Sequence, residues 1–279
     1  ARDRWCPGRG SQPQGYGLYP NHACRDKLTN QFASLGWFLV GVIGLALLQR
    51  RLHQEIQSVL FLLTRRIDLA LAIFSILFLP GVLLHEASHY LAARLLKVPV
   101  GQFSIIPQPL PGGRLRLGYV ETARTDFIRD ALIGAAPLIT GSLFVAYAGF
   151  VHLDFSTLWI RMFAGDLSSI TEAISAAVAQ PDFWIWFYVI FVVSSTMFPS
   201  ESDRRAWGPI LLTVVVFLGL LFIAGAGPWL WENLGAALLS LLHILSLIFI
   251  LSALVHLILW PPFWLLRIFL ERIFRLKVV

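Results

Sequence analysis

The residues of this chain that could do chemistry together stand in the string His85-Glu86-Ala87-Ser88-His89. The string lies in the apolar stretch Ile67 to Leu96, which is long enough to predict a membrane-spanning helix. Residues four apart in a helix lie on one face, so both imidazoles could bind one metal ion. This spacing favours Zn²⁺, with Glu86 placed to take a proton from water that the ion acidifies.

Ionisable groups inside a membrane helix are costly and need a partner. A bound metal is the simplest explanation for His85, Glu86 and His89 together. The alternatives are a polar cluster that binds a neighbouring helix, or a site that has lost its metal.

A third ligand must come from another part of the chain, because catalytic zinc usually has three protein ligands and one open position. Asp203 is the candidate, since it follows the short apolar run Phe183 to Phe198 and a proline. Glu201 is its nearest competitor. The alternative role for Asp203 is a surface carboxylate paired with Arg204 or Arg205.

The composition sets the class of protein. Of the 279 residues, 57% are hydrophobic and 14% are charged, and the mean hydropathy is +0.72. An ordinary soluble domain has about 25% charged residues. These values exclude a soluble globular protein, a disordered chain and a basic nucleic-acid-binding domain. The net charge of +6 is more typical of membrane topology signals.

We therefore expect an all-α polytopic membrane protein with about six transmembrane helices. The apolar runs are Phe32–Leu48, Ile67–Leu96, Ile128–His152, Phe183–Phe198, Trp207–Ala226 and Leu234–Trp260. The corresponding segments are a polar N-terminal segment (1–31), a first helix with its connection (32–66), a membrane core (67–226), a sixth helix (227–260) and a basic tail (261–279).

The two ends of the chain carry their own expectations. Residues 1–31 are polar and would be disordered on their own. At the other end, Pro261 and Pro262 predict a break in the helix. The tail after them alternates apolar and basic residues, which is typical of an amphipathic helix on the membrane surface.

Six alternating spans would place most of the 22 lysines and arginines on the side of both termini. The positive-inside rule then puts both termini in the cytoplasm. On that same side, Val98–Ile106 and Arg114–Glu121 partly alternate apolar and polar residues around the Pro- and Gly-rich segment 107–113. The pattern over Val98 to Glu121 predicts a small cytoplasmic β-hairpin.

The string Phe78 to His89 resembles the site-2 protease family of intramembrane zinc metalloproteases. Gly134-Ala-Ala-Pro-Leu-Ile-Thr140 is similar to that family's G-P-x-x-N motif, with Ala136 in place of the Gly and Thr140 in place of the Asn. The region Ser194 to Asp203 is similar to its N-x-x-P-x-x-x-L-D-G motif, with substitutions and a gap one residue shorter. The resemblance covers about residues 67–226.

The resemblance implies that His85, His89 and Asp203 bind zinc and that Glu86 is the general base. It also implies that the hairpin at Val98 to Glu121 receives an unwound substrate segment by strand addition. The expected function is an intramembrane zinc metallopeptidase acting on a membrane-protein substrate in the lipid bilayer. The alternative is a non-catalytic accessory subunit that contacts partner subunits of a larger membrane complex, which the degenerate second and third motifs favour.

The remaining polar residues of the apolar runs have no assigned chemistry. His243 and His256 are separated by about 20 Å along a helix, too far to share one ion. Two haem sites would each need a ligand from another helix, so capping, interfacial or helix-pairing roles are favoured. Cys6 and Cys24, with His22 nearby, match no metal-binding pattern.

Overall fold

The computed structural model describes residues 21–105, 108–110, 114–123, 125–164 and 167–276. This part of the chain is mostly helical, as the composition predicts. The helices are α1 (Asn21–Thr64), α2 (Ile67–Leu95), α3 (Phe127–Tyr147, extended by a π-helical turn over Ala148–His152), α4 (Phe155–Ala164), α5 (Leu167–Val178), α6 (Phe183–Thr196), α7 (Trp207–Ile223) and α8 (Gly227–Phe274).

Four of the described helices are long and apolar enough to cross a membrane: Ser34–Thr64, Ile67–Leu95, Phe127–His152 and Gly227–Phe274. The pair α5 and α6 is bent by 94° and would count as a fifth span if it crosses as one unit. Helix α7 is apolar but has only 17 residues, whereas the four candidate spans have 26 to 48. The described chain therefore offers four or five spans, where the apolar runs predict six.

Helices α1 and α8 pack along one another in the same direction. Gly41 lies against Phe249 near one end of the contact, and the guanidinium of Arg65 lies 4.2 Å from the ring centre of Phe274 at the other. Six alternating spans would make the first and last helices antiparallel. The parallel packing of α1 and α8 therefore differs from what six alternating spans predict.

Two predicted helix boundaries are wrong. Helix α1 begins at Asn21, inside the polar segment that would be disordered on its own, and continues past Leu48 to Thr64. Helix α8 continues through Pro261 and Pro262 as far as Phe274, so the tail is not a separate surface helix. The first 20 residues, with Cys6, lie outside the described residues.

The packing of α1 against α8 explains both boundaries. Arg267 on α8 forms ion pairs with Glu55 of α1 and, at 2.9 Å, with Glu271. Val59 and Leu62 bury their side chains against the same stretch of α8. Two prolines remove two backbone hydrogen bonds from α8. The contacts between α1 and α8 compensate for that loss and keep both helices continuous where their sequences predict that each helix ends.

Helices α2, α3 and α6 form the core that carries the site. Gly81 of α2 lies so close to α6 that a Cβ atom would come within 2.3 Å of the Val192 carbonyl oxygen. Glycine is therefore what allows these two helices to touch at backbone distance. Phe78 and Ile190 are fully buried in the large apolar cluster on the side of this contact away from the histidines.

The predicted hairpin is present as two nested strand pairs. Strand β1 (Val100–Ser104) pairs antiparallel with β4 (Tyr119–Thr122), and β2 (Gln108–Leu110) pairs antiparallel with β3 (Arg114–Arg116). The centre of the predicted turn, residues 111–113, lies outside the described residues. Strands β1 and β4 contact α2, so the hairpin folds back towards the histidines.

We predict that Arg267→Met destabilises the protein by about 1.5–3 kcal/mol, because Glu55 would lose a charged partner at a largely buried position. Only 21% of the Arg267 side chain and 12% of the Glu55 side chain are exposed. The control Arg272→Met, at an exposed position of the same helix, should change little. Thermal unfolding in detergent micelles measures both, and equal melting temperatures for the two variants would contradict the prediction.

Candidate metal centre

Helix α2 presents both histidines towards one point. The Nε2 atoms of His85 and His89 lie 3.2 Å apart. Two ligands of a tetrahedral zinc ion are separated by about 3.3 Å, because each lies about 2.0–2.1 Å from the metal. The one-turn spacing therefore delivers the separation that a shared ion requires, as the sequence predicts.

Asp203 completes the group from the turn that follows α6. Its Oδ1 lies 3.5 Å from Nε2 of His89, and its Oδ2 lies 3.9 Å from Nε2 of His85. The ligand atoms offered by the three residues all lie within 4.8 Å of one another. The structure therefore brings together the three residues that the sequence singles out, and the group could hold a metal ion. Glu201 is exposed and is not part of the group.

Ser200 orients the Asp203 carboxylate. Its backbone N–H and its hydroxyl donate hydrogen bonds of 2.7 and 2.6 Å to Oδ2. Burial alone would raise the pKa of the Asp203 carboxyl, but the contacts with His89 and Ser200 outweigh burial and hold it well below its usual range. A low pKa favours the ionised carboxylate, which is the form that binds a metal ion.

Neither neighbouring arginine forms the surface ion pair that was the alternative for Asp203. Arg205 binds Asp130 of α3 at 3.2 Å. The Nε of Arg204 donates to the carbonyl oxygen of Ser200 at 3.3 Å. Both arginines thus hold the turn in place and leave the Asp203 carboxylate facing the histidines.

Helix α3 supports the site with a carbonyl group that its own helix does not use. Nδ1 of His89 donates to the carbonyl oxygen of Ile133 at 2.9 Å. That oxygen would normally accept from the residue four positions later, but Pro137 has no N–H. In the neutral imidazole this bond keeps the proton on Nδ1, so that Nε2 has a lone pair to offer a metal ion, as in many histidine ligands of metal sites.

Gly134 admits the Asp203 turn to the surface of α3. A Cβ atom at this position would come within 2.1 Å of the Asp203 carbonyl oxygen. Ile133 and Gly134 are adjacent, so one stretch of α3 fixes both a histidine and the aspartate. Sequence reasoning found the glycine through its motif, whereas the Ile133 carbonyl gave no residue-type signal.

Glu86 lies in the same cavity and outside the ligand group. The cavity has a volume of about 910 Å³ and is lined by α1, α2, α3, the end of α6, the Asp203 turn and the hairpin. Glu86 is 7% exposed, and Gly118, between β3 and β4, packs over its side chain. Glu86 therefore lies beside the ligand group without being part of it.

Other histidines have different settings. His256 is buried and bonded through both ring nitrogens, to Ser195 and to the Ser252 carbonyl, each at 2.8 Å. This is the helix-pairing role favoured above. His243 is exposed. Sequence reasoning missed His53 of α1, which lines the metal-site cavity.

Comparison of the chain with models of known protein families, with curated proteins and with solved structures gave no significant match. The arrangement of the residues themselves therefore carries the functional argument.

We predict that His85→Ala abolishes metal binding, because two remaining ligands cannot hold a catalytic ion tightly. The purified wild type should carry about one zinc per chain and the variant almost none. His243→Ala is the matched control and should retain the metal. Elemental analysis of the three proteins decides, and equal metal in His85→Ala and wild type would exclude His85 as a ligand.

We also predict that Gly134→Ala lowers metal affinity at least about tenfold, because the new methyl group pushes the Asp203 turn away from α3. Gly219→Ala in α7 is the control, since nothing lies within 4 Å of a Cβ there. That control should keep its metal and gain slightly in stability. Metal titration of both proteins tests the effect, and unchanged affinity in Gly134→Ala would contradict it.

Proposed function

We propose that the protein is an intramembrane zinc metallopeptidase that hydrolyses a peptide bond of a membrane-spanning substrate. The observation that carries the proposal is the convergence of His85, His89 and Asp203 beside Glu86 in one cavity. Two histidines, one carboxylate and a separate glutamate are the set that hydrolytic zinc sites use.

The depth of the site supports action inside the membrane. His85 lies ten residues before the end of α2, which is about 15 Å along the helix. If the N-terminal end of α1 lies in the cytoplasm, as the positive-inside rule predicts, this end of α2 also faces the cytoplasm and the reacting groups lie below the cytoplasmic surface. His85 and Asp203 retain 14% and 15% of their side-chain exposure, which leaves an approach for water and substrate.

Zinc held by these ligands would polarise the substrate carbonyl and lower the pKa of the attacking water to about 7. Glu86 is then the base that removes a proton from that water and passes it to the leaving amine. The Ile133 carbonyl keeps His89 in the tautomer that binds metal through Nε2. Ser200 keeps the carboxylate of Asp203 turned towards the histidines.

The hairpin is the proposed docking element for the substrate. A membrane helix must unwind before its peptide bond can reach the metal, and the exposed amides then need new partners. Strands β1 and β4 each have an edge that pairs with no other described strand. Strand addition at such an edge would satisfy the amides of the unwound segment close to Glu86.

The burial of Glu86 under Gly118 favours the second candidate function. A base covered in this way meets no substrate until the hairpin moves. In a non-catalytic accessory subunit the covered site would bind a structural metal, and the surrounding helices would contact partner subunits.

We predict that Glu86→Gln keeps its zinc and loses cleavage by at least about a hundredfold, because the amide cannot accept the proton from water. The probe is a fluorogenic Leu-Ala peptide of about 20 residues with a central Asn-Gly pair, which spans a micelle and unwinds easily. Glu232→Gln, at an exposed position of α8, is the control and should cleave normally.

Cleavage of this peptide at the wild-type rate by Glu86→Gln would remove Glu86 as the base. A wild type that binds zinc and cleaves none of a panel of such peptides would favour the accessory subunit.

A further inference from the structure

A buried polar network connects α1, α6 and α8 next to the metal-site cavity. Gln49 of α1 donates to the carbonyl oxygen of Ser195, and the Ser195 hydroxyl donates to Nε2 of His256. The other ring nitrogen, Nδ1 of His256, donates to the carbonyl oxygen of Ser252. This part of the network is fully satisfied, as buried polar groups normally are.

His53, one turn after Gln49 on α1, is different. Its Nε2 is buried and has no hydrogen-bond partner among the described residues. Its ring packs edge-on against two rings of α2. The centre of the imidazole lies 5.5 Å from the ring centre of Phe74 and 4.7 Å from that of Phe78. Two aromatic contacts therefore hold the imidazole in place without meeting its hydrogen-bonding need.

An orphaned nitrogen of this kind is costly in an apolar environment. A core histidine would be bonded like His256 or replaced by an apolar residue at no loss. His53 also lines the cavity that contains His85, Glu86 and Asp203. The residue lines the cavity, but the nitrogen itself has almost no accessible surface, so a group that enters the cavity can bond it only when the imidazole ring turns towards the opening.

The position of His53 excludes a direct role on the metal. It is not among the residues whose ligand atoms lie within 4.8 Å of one another. Phe78, the nearer of its two ring partners, precedes His85 by two turns of α2, which is about 10 Å. An extended peptide covers that distance in about three residues.

We infer that His53 is a substrate-positioning residue whose Nε2 hydrogen-bonds the main chain of the bound peptide about three residues from the scissile bond. The inference rests on the proposed peptidase function. An unwound peptide brings main-chain amides without partners into an apolar cavity, where each must find one. His53 supplies such a partner on the part of the cavity wall that α1 forms.

Three variants test the role of Nε2 with the fluorogenic peptide described above. His53→Phe keeps the aromatic packing and removes the nitrogen, so kcat/KM should fall about tenfold, mostly through KM, with zinc content unchanged. His53→Gln places an amide nitrogen near the position of Nε2 and should recover most of the loss. His53→Asn reaches only the position of Nδ1 and should not.

Amide-to-ester substitution in the peptide locates the contact. An ester removes one main-chain N–H and weakens the neighbouring carbonyl as an acceptor. At the residue that meets His53, the ester should lower kcat/KM of the wild type about as much as His53→Phe lowers it with the amide peptide. The same ester should lower kcat/KM of the His53→Phe variant little further. Esters at other positions should affect both proteins equally.

The result that overturns the inference is separable from failure of the proposed function. In the Glu86→Gln background, which does not turn over, His53→Phe should weaken peptide binding about tenfold. Equal binding with and without His53→Phe overturns the role of His53 whether or not the wild type is a peptidase. Loss of zinc in His53→Phe, or equal failure of His53→Gln and His53→Asn, also overturns it.

Discussion

The structure depends on one constraint: two imidazoles and one carboxylate must be kept at one point, with a second carboxylate beside them, among helices that are mostly apolar. Each group alone would be expensive to bury. Together, His85, His89 and Asp203 form a set in which a divalent cation could compensate all three. The remaining architecture can be understood from what is needed to bring a carboxylate from a distant turn against one face of α2.

Helix α3 meets that need with two residues that helices usually avoid. Pro137 removes an N–H and so leaves the Ile133 carbonyl for His89, while Gly134 gives up a side chain to admit the Asp203 turn. Both residues weaken a helix taken by itself. Tertiary contacts offset this local cost. The site is therefore held by the Ile133 carbonyl and by the absence of a side chain at Gly134, and few other residues could replace Gly134 or Pro137 there.

The sequence predicts those features that depend on local spacing. The one-turn separation of His85 and His89 sets their Nε2 distance, and strand alternation locates the hairpin. Ion pairs and packing between residues that are far apart in the sequence cannot be predicted from local spacing. Arg267 neutralises Glu55 across 212 positions of sequence, so polar residues that suggest the end of a span lie in a continuous helix. His53 escapes notice for the same reason, since only packing brings α1 to the cavity.

The hairpin that lies beside the metal group also covers Glu86. Glu86 is covered by Gly118, which joins the inner strand pair of the hairpin to the outer one. A substrate strand added to β4 would act on the segment directly after that glycine. In the proposed peptidase, docking of the substrate and uncovering of the base would then be one event. An intramembrane hydrolase needs such coupling, because an open site would expose neighbouring membrane helices to cleavage without selection.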